Sequence, residues 1–168
     1  MILSSRLKAF LMVLTVVVTT GCTTSSVITA PYAPPSPRYA AIVVDAKTGN
    51  VLHNTRADAI RFPASLTKMM TMYMAFEALS RRRISLKSAI PVSKYAAGRP
   101  ASKLYLKAGE TITVDKALQA LAVKSANDVA TAMAEFLGGS EPTFARMMTA
   151  RARALGMRST TFRNASGL

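Results

Sequence analysis

Ser65 and Lys68 stand three residues apart in the run Phe62-Pro63-Ala64-Ser65-Leu66-Thr67-Lys68-Met69-Met70-Thr71. On a helix, positions three apart leave the same face, so this spacing sets a hydroxyl beside an amine. A serine hydroxyl attacks a carbonyl only if a base takes its proton, and a lysine can be that base when it is partly neutral. Burial against Met69, Met72 and the domain body would lower its pKa, as would Lys124 if that cation points inward. In the first turn of a helix, free N–H groups and the positive dipole end can hold a developing oxyanion. The alternative is a first-turn hydroxyl and a cation that snorkels to water. Spacing alone does not separate the two, because Ser5 and Lys8 repeat it within a segment that reads as a targeting signal.

The elements that must hold the pair follow from pattern. Pro63 ends an extended segment, and Ala64 to Leu79 is rich in Leu, Met and Ala without Gly or Pro, which predicts one long helix. Its apolar residues fall on nearly every face, as in a helix buried inside a domain. Ala41–Val44 and Val51–Asn54 read as the strands of a hairpin around Gly49. Lys47-Thr48-Gly49 then reads as turn chemistry, and His53 receives no role. Residues 84–112, punctuated by Pro91, Gly98, Pro100 and Gly109, read as an irregular excursion with short strands. Thr113 caps a helix to about Val123, the chain breaks at Lys124–Asp128, and a helix from Val129 to Leu137 closes at Gly138-Gly139. Ser140, Glu141 and Pro142 start a third helix that ends near Leu155-Gly156.

Composition bounds what these elements can build. A chain of 168 residues, 50% hydrophobic, makes one domain with a real core. Twenty-two Lys and Arg against 8 acids give a formal charge of +14, which suits anionic surfaces. One Cys excludes an internal disulfide, and one Cys with one His leaves no Cys/His metal cluster, so neither metal nor cofactor is expected. Residues 1–22 read as an export signal, with Arg6 and Lys8 ahead of the apolar run Ala9–Val18 and Thr19-Thr20-Gly21-Cys22 after it. Gly21-Cys22 resembles the processing site of bacterial lipoproteins, although Thr19 stands where a Leu is usual. Lipid attachment at Cys22 and plain secretion both stay open. Residues 23–38, with Pro31, Pro34, Pro35 and Pro37, read as a tether, and the domain opens at about Tyr39.

Ser65-Leu66-Thr67-Lys68, followed sixty residues after Ser65 by Ser125-Ala126-Asn127 at a helix-helix turn, resembles the penicillin-binding D-alanyl-D-alanine carboxypeptidases. Asp45–Leu52, Phe62–Ser65, Leu106–Thr111 and Thr161–Leu168 look like the same family, with Ala165-Ser166 where members often carry Pro-His. The resemblance implies an α/β (α+β) class and a β-lactamase/D,D-peptidase-like transpeptidase fold, helix-rich with an amino-terminal β-hairpin. It implies Ser65 as nucleophile, Lys68 as base, Ser125 as proton relay and Asn127 as a hydrogen-bonding partner of the substrate backbone. Read from the residues alone, Ser125 is a helix cap and Asn127 a turn former. The implied partners are peptidoglycan stem peptides and, as covalent inhibitors, β-lactams.

In the family a third motif, Lys-Thr-Gly, lies on a strand well downstream of the closing Gly167-Leu168 stretch, and Lys47-Thr48-Gly49, which precedes Ser65, is not expected to replace it. Residues 39–168 are therefore expected to be the amino-terminal portion of such a catalytic domain, with an incomplete fold. Three functions follow: a serine D,D-carboxypeptidase of the cell envelope, a catalytically inactive wall-binding lipoprotein, and a basic nucleic-acid binder. The export signal and the lack of a basic motif interleaved with aromatics count against the last.

Overall fold

The computed structural model describes residues 36–168, so the expected export signal, Cys22 and nearly all of the expected tether lie outside the described residues. The described residues divide into two compact units that meet at Thr55 and Arg56. In the first, β1 (Ala41–Val44) and β2 (Val51–Thr55) form the antiparallel hairpin, with Ile42 opposite Asn54 and an irregularity between Val43 and Val44. Its turn is built as the sequence suggests. Asp45 Oδ1 accepts from the Lys47 and Thr48 N–H groups and from the Thr48 hydroxyl, and Gly49 takes a φ of +74° that favours glycine. Those donors hold the Asp45 carboxyl below its ordinary pKa. Lys47-Thr48-Gly49 is turn chemistry here.

The second unit opens with a 3-10 turn, Ala64–Leu66, which runs into α1 (Thr67–Ser80). Then come β3 (Ala89–Pro91), α2 (Lys94–Ala97), β4 (Thr111–Thr113), α3 (Val114–Lys124), α4 (Asn127–Gly138) and α5 (Glu141–Ala154). β3 and β4 pair antiparallel, with buried Ile90 opposite buried Ile112. Side-chain caps mark three helix starts, Ser93 on Ala96 N–H, Thr113 on Lys116 N–H and Ser140 on Thr143 N–H. The sequence reading missed α2, which at four residues is too short to show a helical period.

The buried centre of this unit is α4. Every residue from Asn127 to Ala134 is buried, and α1, α2, α3, α5 and β3 all pack against the helix. Its small side chains allow close approach, and a β-carbon on Gly138 would come within 2.8 Å of Phe144 Cβ. Met70 and Met74 from α1, Leu118 and Leu121 from α3, and Phe144 and Met148 from α5 complete the core. Each such side chain contributes about 1.5–3 kcal/mol when fully buried.

α1 buries only the side bearing Lys68, Met70, Thr71, Met74, Ala75 and Ala78. Met69 and Phe76 are 64% and 55% exposed, so this helix, apolar all round, is covered on one side only. One expectation changes: α4 begins at Asn127 rather than Val129, because Asp128 fits the first turn of a helix. The buried Asp128 carboxylate accepts from the N–H groups of Leu104, Leu106 and Val129, and so fixes the course of the preceding loop.

Candidate active site

The turn before α1 presents Ser65. Leu66 N–H donates to the Pro63 carbonyl, and Ala64 adopts a φ of +48°, a left-handed conformation that costs a non-glycine residue about 1 kcal/mol or more. Lys68 lies one turn on, 2% exposed, with Nζ 3.3 Å from Ser65 Oγ. Burial holds its ammonium below the ordinary lysine pKa, and no ion pair to it exists among the described residues. Lys124 is exposed, so the depression comes from desolvation alone.

Lys68 Nζ also donates, at 2.9 Å, to the main-chain carbonyl of Ser166. The chain reaches that position through an Asx turn in which Asn164 Oδ1 accepts from the N–H groups of Ser166 and Gly167. Gly167, at φ +83°, presses so closely on the turn bearing Ser65 that a β-carbon there would overlap the Ala64 carbonyl and approach Thr67 Oγ1 to 2.7 Å. Sequence reading saw Thr161–Leu168 only as a family stretch. That it packs beneath Ser65 depends on a contact spanning about a hundred positions, for which a single sequence carries no local signal.

Ser65, Lys68 and Ser125 line one open cleft of about 380 Å³, walled by Met69, Met72 and Leu121. Ser125, at the end of α3, lines the cleft in a left-handed conformation, φ +56°. Asn127 does not line it. Its amide nitrogen donates to the Pro100 carbonyl at 3.0 Å, its N–H to the Ser102 carbonyl at 2.7 Å, and the residue is 3% exposed. Among the described residues no group of three or more His, Cys, Asp or Glu could hold a metal ion, and no helix is long and apolar enough to cross a membrane.

A serine at a helix start beside a buried lysine, with a second serine across the cleft, has the groups that serine–lysine acyl transfer requires. A family model described as D-alanyl-D-alanine carboxypeptidase matches residues 29–168, and the chain belongs to that family, peptidase S11. D-alanyl-D-alanine carboxypeptidase DacF of Bacillus subtilis is 39% identical over 128 residues, 76% of this chain and 33% of that relative. The crystal structure of D-alanyl-D-alanine carboxypeptidase DacD from Francisella tularensis superposes with a TM-score of 0.76 at 34% identity, covering 89% of this chain and 36% of that one. Penicillin-binding protein D2 from Listeria monocytogenes, in its ampicillin-bound form, gives 0.69 at 32% identity over 80% of this chain and 55% of that one. The fold is that of the D,D-peptidases, helix-rich with a small antiparallel hairpin. The chain spans about a third of the length of the curated relatives it matches.

Proposed function

We propose that this chain carries the acylating half of a serine D-alanyl-D-alanine carboxypeptidase that removes the terminal D-alanine of peptidoglycan stem peptides. The observation that carries the reading is a buried, pKa-depressed Lys68 with Nζ 3.3 Å from Ser65 Oγ in a cleft shared with Ser125. Neutral Lys68 takes the Ser65 proton as Oγ attacks the carbonyl of the penultimate D-alanine. The amide C–N bond then breaks, and the proton passes through Ser125 to the departing amine of D-alanine. Water later hydrolyses the Ser65 ester. Asn127 would receive the substrate backbone with its amide once that side chain leaves the Pro100 carbonyl.

A β-lactam would acylate the same hydroxyl, so a fluorescent penicillin tests the assignment. Covalent labelling of the chain that vanishes in Ser65→Ala supports it, and labelling that survives the substitution overturns it. The likeness to an ampicillin-bound relative supports the choice of probe.

The export signal supports a place in the bacterial cell envelope, outside the inner membrane, with lipid attachment at Cys22 as the anchored form. In the producing cell, Cys22→Ser would move an anchored protein from membrane to soluble fractions. A native protein already soluble, with an amino terminus other than Cys22, would leave simple secretion.

A further inference from the structure

We propose that Glu141 and Thr71 are positioning residues for Lys68, clamping Ala165 from both ends so that the next carbonyl, Ser166 O, holds the amine beside Ser65. This rests on the reading of Lys68 as the base. The three contacts form one chain. Glu141 Oε1 accepts from Ala165 N–H at 3.0 Å, Thr71 Oγ1 donates to the Ala165 carbonyl at 2.8 Å, and Lys68 Nζ donates to the Ser166 carbonyl at 2.9 Å. All of it is desolvated: Ala165 and Thr71 are fully buried, and Lys68, Ser166 and Glu141 nearly so.

A buried carboxylate is retained at a helix start only if it finds donors, and Glu141 finds Thr131 Oγ1 at 3.2 Å as well as the Ala165 N–H. Its other oxygen faces Arg99 at 3.9 Å. Thr71 lies three residues after Lys68 and so on the same face of α1. A neutral amine has two N–H groups and one lone pair. Committing one N–H to a fixed carbonyl removes most of its freedom to rotate and leaves the other N–H and the lone pair for the side where Ser65 Oγ lies, 3.3 Å away. A loose Ser166 carbonyl would admit water beside Nζ and weaken the desolvation that holds the ammonium below the ordinary lysine pKa. The charged side chains on the elements packed around Lys68 include Glu77 on α1, Lys124 on α3, Asp128 on α4 and Glu141 on α5, and none pairs with it.

The test uses the full chain with 13C-labelled lysine, following the Lys68 Cε resonance through a pH titration beside the pH profile of acylation by a fluorescent penicillin. Glu141→Ala and Thr71→Val should each raise the Lys68 midpoint, by about one pH unit for a tenfold loss of acylation near neutrality. Glu141→Gln, which keeps an oxygen for Ala165 N–H, should stay near the wild-type midpoint. Met133→Ala, a core truncation in α4, should destabilise the fold without moving it. If Glu141→Ala does not fold, Thr71→Val, which keeps the side-chain shape, decides. An unmoved midpoint in the Thr71 and Glu141 variants, or an equal shift in Met133→Ala, overturns the clamp. Should the wild-type chain resist acylation, the catalytic reading falls, and the midpoints still decide whether Glu141 and Thr71 position Lys68.

Discussion

Lys68 and Ser166 are 98 residues apart in sequence, yet Nζ of one donates to the carbonyl of the other at 2.9 Å. The closing stretch of the described chain is thus part of the wall around the amine, and what happens to it is felt at Ser65.

Lys68→Ala should slow acylation of Ser65 on the order of a hundredfold or more, because the hydroxyl loses the base within reach. Stopped-flow labelling with a fluorescent penicillin measures this. An unchanged rate would move the base role elsewhere.

The depressed pKa of Lys68 sets two pH dependences. Acylation needs the neutral amine, so its rate should climb with pH up to the folded-state pKa and level off there, below the ordinary lysine value. Stability follows the same linkage. Between the folded pKa and the ordinary value the unfolded chain binds more protons than the folded one, so unfolding free energy should rise with pH across that window. Lys68→Met should accordingly stabilise the fold near neutrality and lose that advantage as pH approaches the ordinary lysine value, as urea unfolding at several pH values would reveal.

Gly167→Ala should be far more damaging than Gly109→Ala. Both glycines have positive φ, +83° and +88°, so both substitutions carry the backbone cost of about 1 kcal/mol. Only at Gly167 would the new methyl meet the Ala64 carbonyl and Thr67, whereas nothing lies within 4 Å at Gly109. Thermal unfolding compares them, and equal losses would mean that the segment does not press on the nucleophile turn.

Asp128→Ala should leave the N–H groups of Leu104 and Leu106 without their acceptor, at about 1–3 kcal/mol for a buried unsatisfied group. Hydrogen exchange at those two amides should accelerate well beyond exchange in α4. Protection that survives would assign the loop's course to other contacts.

Met69, Tyr73 and Phe76 leave an apolar stripe on the exposed side of α1, with Leu66 at its start. Such a stripe favours association in water. The chain should therefore self-associate at micromolar concentration, and Phe76→Glu should shift it toward monomer in sedimentation velocity. A chain that is already monomeric at high concentration would show the stripe to be tolerated.

The pairing of Ser65 with Lys68 was legible in sequence because it is local. A three-residue spacing on a helix, a proline before it and a Ser-Ala-Asn motif at a break between helices are all short-range facts. Helices α3 and α5, both strands of the hairpin and the cap at Thr113 were legible for the same reason, since period and capping residues act within a few positions. Which helix is central was not, because the burial of every residue from Asn127 to Ala134 depends on the separate elements that pack around α4. The neighbours of Lys68 were not legible either. Glu141 read as a helix start and Thr71 received no role, and neither has meaning for the amine until the chain folds Ala165 and Ser166 between them. Sequence determined which atoms could react; tertiary structure decided how dry they are and where they point, because desolvation and orientation come from residues brought together across nearly a hundred positions.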